Sequence, residues 1–255
     1  MKDKIKSKYL YYHVYYMISI LFFILCVSCV AFDTVNQEEK KKAEILNTQK
    51  ALVISFLNKG LPGMALKELK KLLPSYPDDA DFKNLMGLTQ LALGSPDQAI
   101  GYFKAAYAKN KQISVALNLS SAYIESKQYK KAINFLLDVK KLKDTETYPH
   151  PERIEHNIGF AFEQLNDFPK AEKYYLKALK ENPNFYITLM RVGQLYDRLN
   201  KPQKASQHYL RAKELCEECF DPVNGLIMNY LARSEADKAT ELLDSYLENK
   251  EISPS

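Results

Sequence analysis

The sequence predicts an all-α fold, a right-handed solenoid of about six consecutive helix-turn-helix repeats. Three observations lead to this prediction. Hydrophobic residues make up 46% of the 255 residues and only 8 residues are Gly, a composition that favours helices over a turn-rich β fold. Alanines recur along the chain with a period of about 34 residues, which is typical of helical repeat proteins. In four of these periods a Gly or Asn is soon followed by a Pro, which indicates a turn between two helices.

The alanines define the repeat. The set is Ala65, Ala99, Ala132, Ala171, Ala205 and Ala239. Its members are evenly spaced except for one longer interval, the third, and a fixed period of this length indicates stacked repeats. A small residue stands twelve positions earlier in four repeats: Gly87, Ser120, Gly159 and Gly193. An aromatic residue stands nine positions earlier in five repeats: Phe56, Tyr123, Phe162, Tyr196 and Tyr230. The small residue lets the first helix of a repeat, helix A, approach the second, helix B.

Helix B carries its own pattern. The residue four positions after each alanine is large and apolar or aromatic, and it lies one turn further along the same helical face. These residues are Leu69, Phe103, Leu136, Tyr175, Tyr209 and Leu243. Together with the alanines they predict the buried stripe of helix B.

The turn between helix A and helix B is visible in four repeats. A residue that tolerates left-handed backbone geometry ends helix A: Gly60, Gly94, Asn166 and Asn200. A proline follows near the first turn of helix B, where its missing N–H is harmless: Pro62, Pro96, Pro169 and Pro202.

This pattern resembles the tetratricopeptide repeat, whose period is the same. The resemblance implies repeats at 46–79, 80–112, 113–151, 152–185, 186–219 and 220–250, with a tail at 251–255. The longer third interval places extra residues between the third and fourth repeats, around 144–151. Because Pro149 and Pro151 prevent a continuous helix there, we expect an exposed loop.

In proteins of this kind the A helices line a concave groove, at the second, fifth, ninth, twelfth and thirteenth places of each repeat. The corresponding residues here are Lys50, Ile54, Leu57, Asn84, Leu88, Leu91, Leu117, Ser121, Ile124, His156, Phe160, Gln164, Met190, Gln194, Asp197, Met228 and Leu231. The lining is more apolar in the N-terminal half, which predicts an amphipathic helix or an extended apolar peptide as ligand. Alternatively, some of these side chains pack against the preceding segment, including residues 38–45.

The N-terminus has the layout of a signal sequence. Lys2, Lys4, Lys6 and Lys8 precede an uncharged apolar block, which ends in a small residue followed by Cys29. The end of this block resembles the lipobox of bacterial lipoproteins, which implies cleavage after residue 28 and lipidation of Cys29. The alternative is a plain membrane anchor, since the apolar run is close to the length that spans a bilayer. In either case a tether at 29–45 leads to repeats that lie outside the cytosol.

Cys216 and Cys219 form a C-x-x-C pair within the predicted repeats, for which three interpretations remain: a structural disulfide, two reduced thiols or a redox pair. We expect no metal site, because zinc would need two further ligands nearby.

The four histidines are scattered, and no nucleophile elbow or phosphate loop is present, so we expect no enzyme activity, no cofactor and no small-molecule substrate. The net charge of +5 includes four lysines of the leader, which gives no electrostatic case for nucleic acid.

A lipobox, six repeats and an insert after the third repeat together resemble the type IV pilus pilotins, the PilF/PilW/Tgl family of outer-membrane lipoproteins. The local resemblance is strongest over residues 148–183. It implies that the protein is anchored to the periplasmic face of the outer membrane, binds secretin subunits and assists their assembly into the pilus channel. Anchoring to the inner membrane facing the periplasm is the alternative location. A lipoprotein scaffold of outer-membrane protein assembly, or of another envelope complex, is the alternative function.

Overall fold

The computed structural model describes residues 37, 40–142, 145 and 147–252, with side chains up to residue 248. Regular secondary structure in these ranges is helical throughout, with no strand. The helices are α1 (40–58), α2 (Pro62–Leu72), α3 (Ala80–Ala92), α4 (Pro96–Asn110), α5 (Ile113–Glu125), α6 (Tyr129–Val139), α7 (Glu152–Gln164), α8 (Phe168–Glu181), α9 (Tyr186–Arg198), α10 (Pro202–Leu215), α11 (Phe220–Ala232) and α12 (Ala236–Ile252). The predicted all-α fold of paired helices is confirmed.

The chain divides into two compact units within α2, between Glu68 and Leu69. The first unit holds α1 and most of α2. The second unit holds α3 to α12, in which each helix packs against the next one along the chain. Five A helices therefore lie in the second unit, and they begin at residues 80, 113, 152, 186 and 220.

The first helix begins earlier than the sequence pattern indicated. We predicted a tether through residue 45, but residues 40–45 are helical. Lysine, alanine and glutamate, which make up residues 40–44, are strong helix formers, and neither Gly nor Pro interrupts the chain between residue 40 and Gly60. The helical propensity of these residues therefore extends α1 beyond the repeat pattern.

The alanine set lies at the closest approach of the helices. Five of its members have no solvent exposure, and Ala239 is 5% exposed. The glycines of helix A lie where helix A approaches helix B closely, as predicted, and each faces an aromatic ring of helix B. A Cβ atom added to Gly87 would lie within 2.4–2.7 Å of the Phe103 ring, and the same holds for Gly159 with Tyr175 at 2.8–3.2 Å. No larger side chain fits at these two positions without displacing an aromatic ring.

The predicted left-handed residues are confirmed. Gly60, Gly94, Asn166 and Asn200 all have positive φ, between 54° and 71°. In repeats 3 and 6 the same position is occupied by Lys127 and Ser234, with φ of 58° and 61°. The following N–H reaches back to close the helix end, as in the bond from Gln128 N to Tyr123 O at 2.7 Å. The turn geometry is therefore common to all six repeats, although its sequence signature is present in only four.

The insert between α6 and α7 is only partly exposed. Pro149 and His150 are exposed, but Tyr148 is half-buried and packs against the cluster that contains Ile154 and Ile158. Glu152, at the start of α7, is buried, and one of its carboxylate oxygens lies 3.3 Å from His150 Nδ1. The described part of the loop is thus attached to repeat 4 rather than freely exposed along its whole length.

None of the helices in the described part of the chain combines the length and the apolar character that crossing a bilayer requires. The leader predicted at 1–28 and the lipidation site predicted at Cys29 lie outside the described residues. Within the described ranges no three His, Cys, Asp or Glu side chains are grouped closely enough to hold a metal ion.

Candidate protein-binding surface on the A helices

The predicted groove residues of the first unit lie on α1. Ile54 is 45% exposed, while Lys50 and Leu57 are half-buried. Val53, on the same helix, is completely buried, so α1 has one buried face and one face that leaves Ile54 in solvent. The exposed side of α1 therefore offers apolar surface of its own.

In the second unit the predicted residues of α3 and α5 fall into two groups. Asn84, Leu88, Leu91 and Ser121 are half-buried, and each leaves part of its side chain accessible. Ile124 is only 8% exposed and belongs to a buried cluster, so little of its side chain is available to a partner. Leu117 is 2% exposed, also inside a core cluster.

Side-chain hydrogen bonds also join neighbouring A helices. Asn118 on α5 donates to Asn84 Oδ1 on α3 at 3.0 Å, and Asn157 on α7 donates to Ser120 Oγ on α5 at 3.0 Å. Because the amide groups of these asparagines are held in place, the surface they share has a fixed shape.

His156 on α7 is a packed, neutral histidine. Its Nδ1 forms a 2.8 Å hydrogen bond with Thr188 Oγ1 of α9, and its ring lies 5.5 Å from Tyr175 and 5.4 Å from Phe185, measured between centroids. Burial, together with the positive charges of nearby arginines, lowers the pKa of His156 from 6.5 to about 4. The imidazole therefore remains uncharged at neutral pH and joins repeat 4 to repeat 5.

Arginine side chains accompany the predicted groove residues of α7 and α9. The Arg191 guanidinium lies over the Phe160 ring at 4.5 Å, an arrangement that favours a fixed orientation of both groups. Gln194, one turn further along α9, is exposed, and Arg153 is exposed at the start of α7. The sequence interpretation missed both arginines because it considered the apolar lining. Arg153 stands at the second place of its repeat, which is one of the counted groove places, whereas Arg191 stands at the sixth, which is not.

Apolar surface also lies at the C-terminal end of the second unit. Met228 is 59% exposed and Leu231 is 48% exposed on α11, and Ile187 on α9 is 53% exposed. Leu88 and Leu91, by contrast, are half-buried because they pack against a core cluster. In the second unit the largest exposed apolar side chains of the A helices thus lie in repeats 5 and 6. The sequence analysis found the more apolar lining in the N-terminal half, where Ile54 on α1 is 45% exposed.

Two partly buried polar networks connect consecutive repeats. Tyr175 donates its hydroxyl hydrogen to Glu163 at 2.6 Å, and the other carboxylate oxygen of Glu163 accepts from Arg198 at 3.1 Å. In the next repeat Tyr209 donates to Asp197 Oδ2 at 2.8 Å, and Asn229 donates to Asp197 Oδ1 at 2.8 Å.

The networks use two acidic groups, Glu163 and Asp197, in bonds within the protein. Burial first and the neighbouring carboxylate second raise the pKa of Tyr175 above its ordinary value, so its hydroxyl remains a donor. Both oxygens of Asp197 are already used inside the protein. This predicted groove residue therefore joins repeats 5 and 6, and it remains exposed to solvent.

Cys216 and Cys219 are joined by a disulfide bond, with their Cα atoms 5.3 Å apart. The pair lies in the turn between α10 and α11, and the N–H of Cys219 donates to the carbonyl oxygen of Cys216 at 3.2 Å. Of the three interpretations that the sequence left open, the disulfide is the one present. The bridge closes the turn at the end of repeat 5.

Comparison with known proteins gives the family. Family models described as tetratricopeptide repeats match residues 50–112, 113–145, 153–185 and 187–219, which together cover more than half of the chain. The type IV pilus assembly protein PilF of Pseudomonas aeruginosa is 25% identical over 195 residues, covering 74% of this chain and 76% of PilF.

Two solved structures have the same fold. A structure titled as a functional characterisation of Pseudomonas aeruginosa PilF has a TM-score of 0.64 at 23% identity, and covers 82% of this chain and 92% of that one. The structure of PilW, described as a widely conserved type IV pilus biogenesis factor, has a TM-score of 0.69 at 16% identity, with coverage of 82% and 94%. The chain therefore belongs to the tetratricopeptide repeat proteins, related in sequence to PilF and in fold to PilW.

Proposed function

We propose that this protein is a pilotin, which binds secretin subunits of the type IV pilus and assists their assembly in the outer membrane. The observation that carries the proposal is the similarity to PilF over about three quarters of each chain, which spans the repeats. PilF is described as a type IV pilus assembly protein, and PilW as a type IV pilus biogenesis factor. A partner from the pilus machinery is therefore favoured over other envelope proteins.

The A helices supply the binding surface in this proposal. Their exposed apolar side chains, in particular Met228 and Leu231, have about half of their surface available for burial. Burying half of such a side chain stabilises a complex by about 1 kcal/mol. Several such contacts along the A helices give enough free energy for a stable complex with one apolar segment of a subunit.

Anchoring is the second part of the proposal. A diacylglycerol on Cys29 would hold the repeats at the periplasmic face of the outer membrane, where secretin subunits are inserted. The expected test is mass spectrometry of the protein from membranes. A lipid-modified N-terminal Cys29 supports the lipoprotein, and Cys29→Ser should then accumulate as the uncleaved precursor. An intact, unmodified 1–29 segment in the parent protein would establish a plain membrane anchor instead.

The binding surface can be tested with a matched pair of double variants. Met228→Asp with Leu231→Asp places two carboxylates on the A-helix surface. The control, Leu176→Asp with Leu210→Asp, changes leucines that are 41% and 44% exposed on the B helices α8 and α10. Because a buried carboxylate is strongly disfavoured, the first variant should bind secretin subunits at least ten times more weakly, while the control should bind as the parent does.

Secretin assembly gives the cellular test. A strain without the protein should accumulate secretin monomers and lack surface pili, and the Met228→Asp, Leu231→Asp variant should reproduce this state. Normal secretin multimers in the strain without the protein would show that the pilotin proposal is wrong. Co-purification with components of outer-membrane protein assembly would then support the alternative, a scaffold for that machinery.

A further inference from the structure

We propose that the A-helix surface of repeats 4 and 5 contains an anion-binding position, formed by Arg153 and Arg191, that accepts an acidic side chain from within a partner segment. The inference rests on the proposed protein-binding function and makes it more specific, because it adds a charge requirement to an otherwise apolar ligand.

The two arginines lie on one face. Arg153, His156 and Phe160 follow each other on α7 at spacings of three and four residues, so their side chains lie along the same side of the helix. Arg191 lies one turn after Thr188 on α9, and Thr188 is hydrogen-bonded to His156. Both guanidinium groups are close enough to His156 to lower its pKa. They therefore flank one histidine on two adjacent helices.

Neither arginine has an acidic partner among the described residues. The chain contains five arginines, and the other three each pair with a glutamate: Arg198 with Glu163, Arg211 with Glu214 and Arg233 with Glu235. Arg191 instead stacks on Phe160. Arg153 forms no ion pair with any residue that the structure describes. The unpaired arginines are thus the two that lie on the candidate binding surface.

The acidic groups of the same two helices are already engaged. On α7, Glu152 pairs with His150 and Glu155 pairs with Lys140. Glu163, at the end of α7, accepts hydrogen bonds from Tyr175 and Arg198. On α9, Asp197 accepts hydrogen bonds from Tyr209 and Asn229. In the described part of the chain, no carboxylate of these helices forms an ion pair with Arg153 or Arg191. A partner carboxylate could therefore bind two guanidinium groups, each with five N–H donors, that no ion pair with these helices occupies.

The arrangement also indicates the kind of segment. Phe160 holds the Arg191 guanidinium by its face and leaves the edge donors available to a carboxylate. Apolar surface flanks the position at Ile187, and more follows on α11 at Met228 and Leu231. The favoured ligand therefore continues past the arginines, with an acidic residue inside an apolar stretch rather than a free chain terminus.

A designed peptide series tests the inference. The probes are short amphipathic peptides of identical length and apolar sequence, acetylated and amidated, with Glu, Gln or Lys at the central polar positions. Fluorescence anisotropy with the full chain in detergent should show the Glu peptide binding at least ten times more tightly than the Gln peptide. Because charge-assisted bonds carry this difference, it should shrink as salt is added.

The protein variants identify the residues. Arg153→Gln with Arg191→Gln should remove the preference for the Glu peptide, while Arg211→Gln, an exposed arginine on α10, should retain it. Equal binding of the Glu and Gln peptides by the parent protein would overturn the inference, and so would a preference that survives in the double variant. A Gln peptide with a free C-terminal carboxylate that binds as well as the amidated Glu peptide would also overturn it.

The outcome can be separated from the proposed function. If secretin subunits co-purify with the parent protein but the peptides show no charge preference, the anion-binding position is wrong and the pilotin proposal stands. If the Glu preference is present and depends on both arginines while secretin assembly is normal without the protein, the pilotin proposal is wrong and the acidic ligand belongs to another partner.

Discussion

Replacing Gly193 by Ala should destabilise the second unit, although alanine is the better helix former. A Cβ atom at residue 193 would lie 2.4 Å from Cε1 of Tyr209, whereas carbon atoms in contact are about 3.5–4.0 Å apart. The ring would therefore have to move by about 1 Å to restore an ordinary contact. It cannot move freely, because a Cβ atom at Gly225, on the adjacent helix α11, would also lie only 2.8 Å from the same ring.

The expected cost follows from these contacts. Overpacking of this kind costs about 1–3 kcal/mol. A displaced ring would also weaken the 2.8 Å hydrogen bond from Tyr209 to Asp197, which contributes about 1.5 kcal/mol. The better helix propensity of alanine offsets about 1 kcal/mol. The net decrease in the free energy of unfolding should be about 2 kcal/mol.

Urea unfolding followed by circular dichroism measures this change, with a control in the same protein. Gly101 lies exposed in α4, and an added Cβ atom would meet no atom within 4 Å. Gly101→Ala should therefore stabilise the protein by about 0.5–1 kcal/mol. Replacing Tyr209 by Leu, the residue found at this place in repeats 1, 3 and 6, should reduce the cost of Gly193→Ala. If Gly193→Ala is as stabilising as Gly101→Ala, the packing argument is refuted.

Three further predictions concern stability. Since His156 has a pKa of about 4 in the folded protein and 6.5 in the unfolded chain, only the unfolded chain gains a proton between these values, so stability is complete above pH 6.5 and falls towards pH 4. The loss between pH 7 and pH 5 should be about 2 kcal/mol larger in the parent than in His156→Gln by urea unfolding, and equal losses would contradict it. Cys216→Ser with Cys219→Ser should cost less than about 2 kcal/mol, because the bridge closes a very short loop, and partner affinity measured in parallel should not change. Arg198→Ala should cost about 1–2 kcal/mol by chemical denaturation, because Glu163, whose side chain is 1% exposed, loses its charged partner, although the 56% exposure of Arg198 limits the effect; an unchanged midpoint would show that the pair contributes nothing.

The fold could be predicted because its determinants are local and periodic. An alanine at the same place in every repeat and a glycine facing an aromatic ring each report a close approach of two helices within one repeat. The left-handed turn could be recognised at Asn166 but not at Lys127, because lysine carries no conformational preference that reveals a positive φ. In that repeat the turn is imposed by the packing of the two helices on either side.

The candidate surface was less accessible to sequence reasoning. The places of a repeat that line the A helices can be counted, but exposure depends on how neighbouring repeats pack. Ile124 was expected on the surface and is buried in a cluster that includes Ala161, a residue of the following repeat. The role of Arg191 became visible only when its ring partner and its lack of a carboxylate among the described residues were known.

Helix α9 connects the two partly buried polar networks, and this affects how the protein unfolds. Its adjacent residues Asp197 and Arg198 bond in opposite directions, Arg198 to Glu163 in the preceding repeat and Asp197 to Asn229 in the following one. If α9 opens, carboxylates in two repeats lose partners at once, so partial opening at this point is costly. Repeats 4 to 6 should consequently exchange their amide hydrogens as one cooperative block, in contrast to the independent fraying expected of a linear array whose units are joined only by apolar contacts.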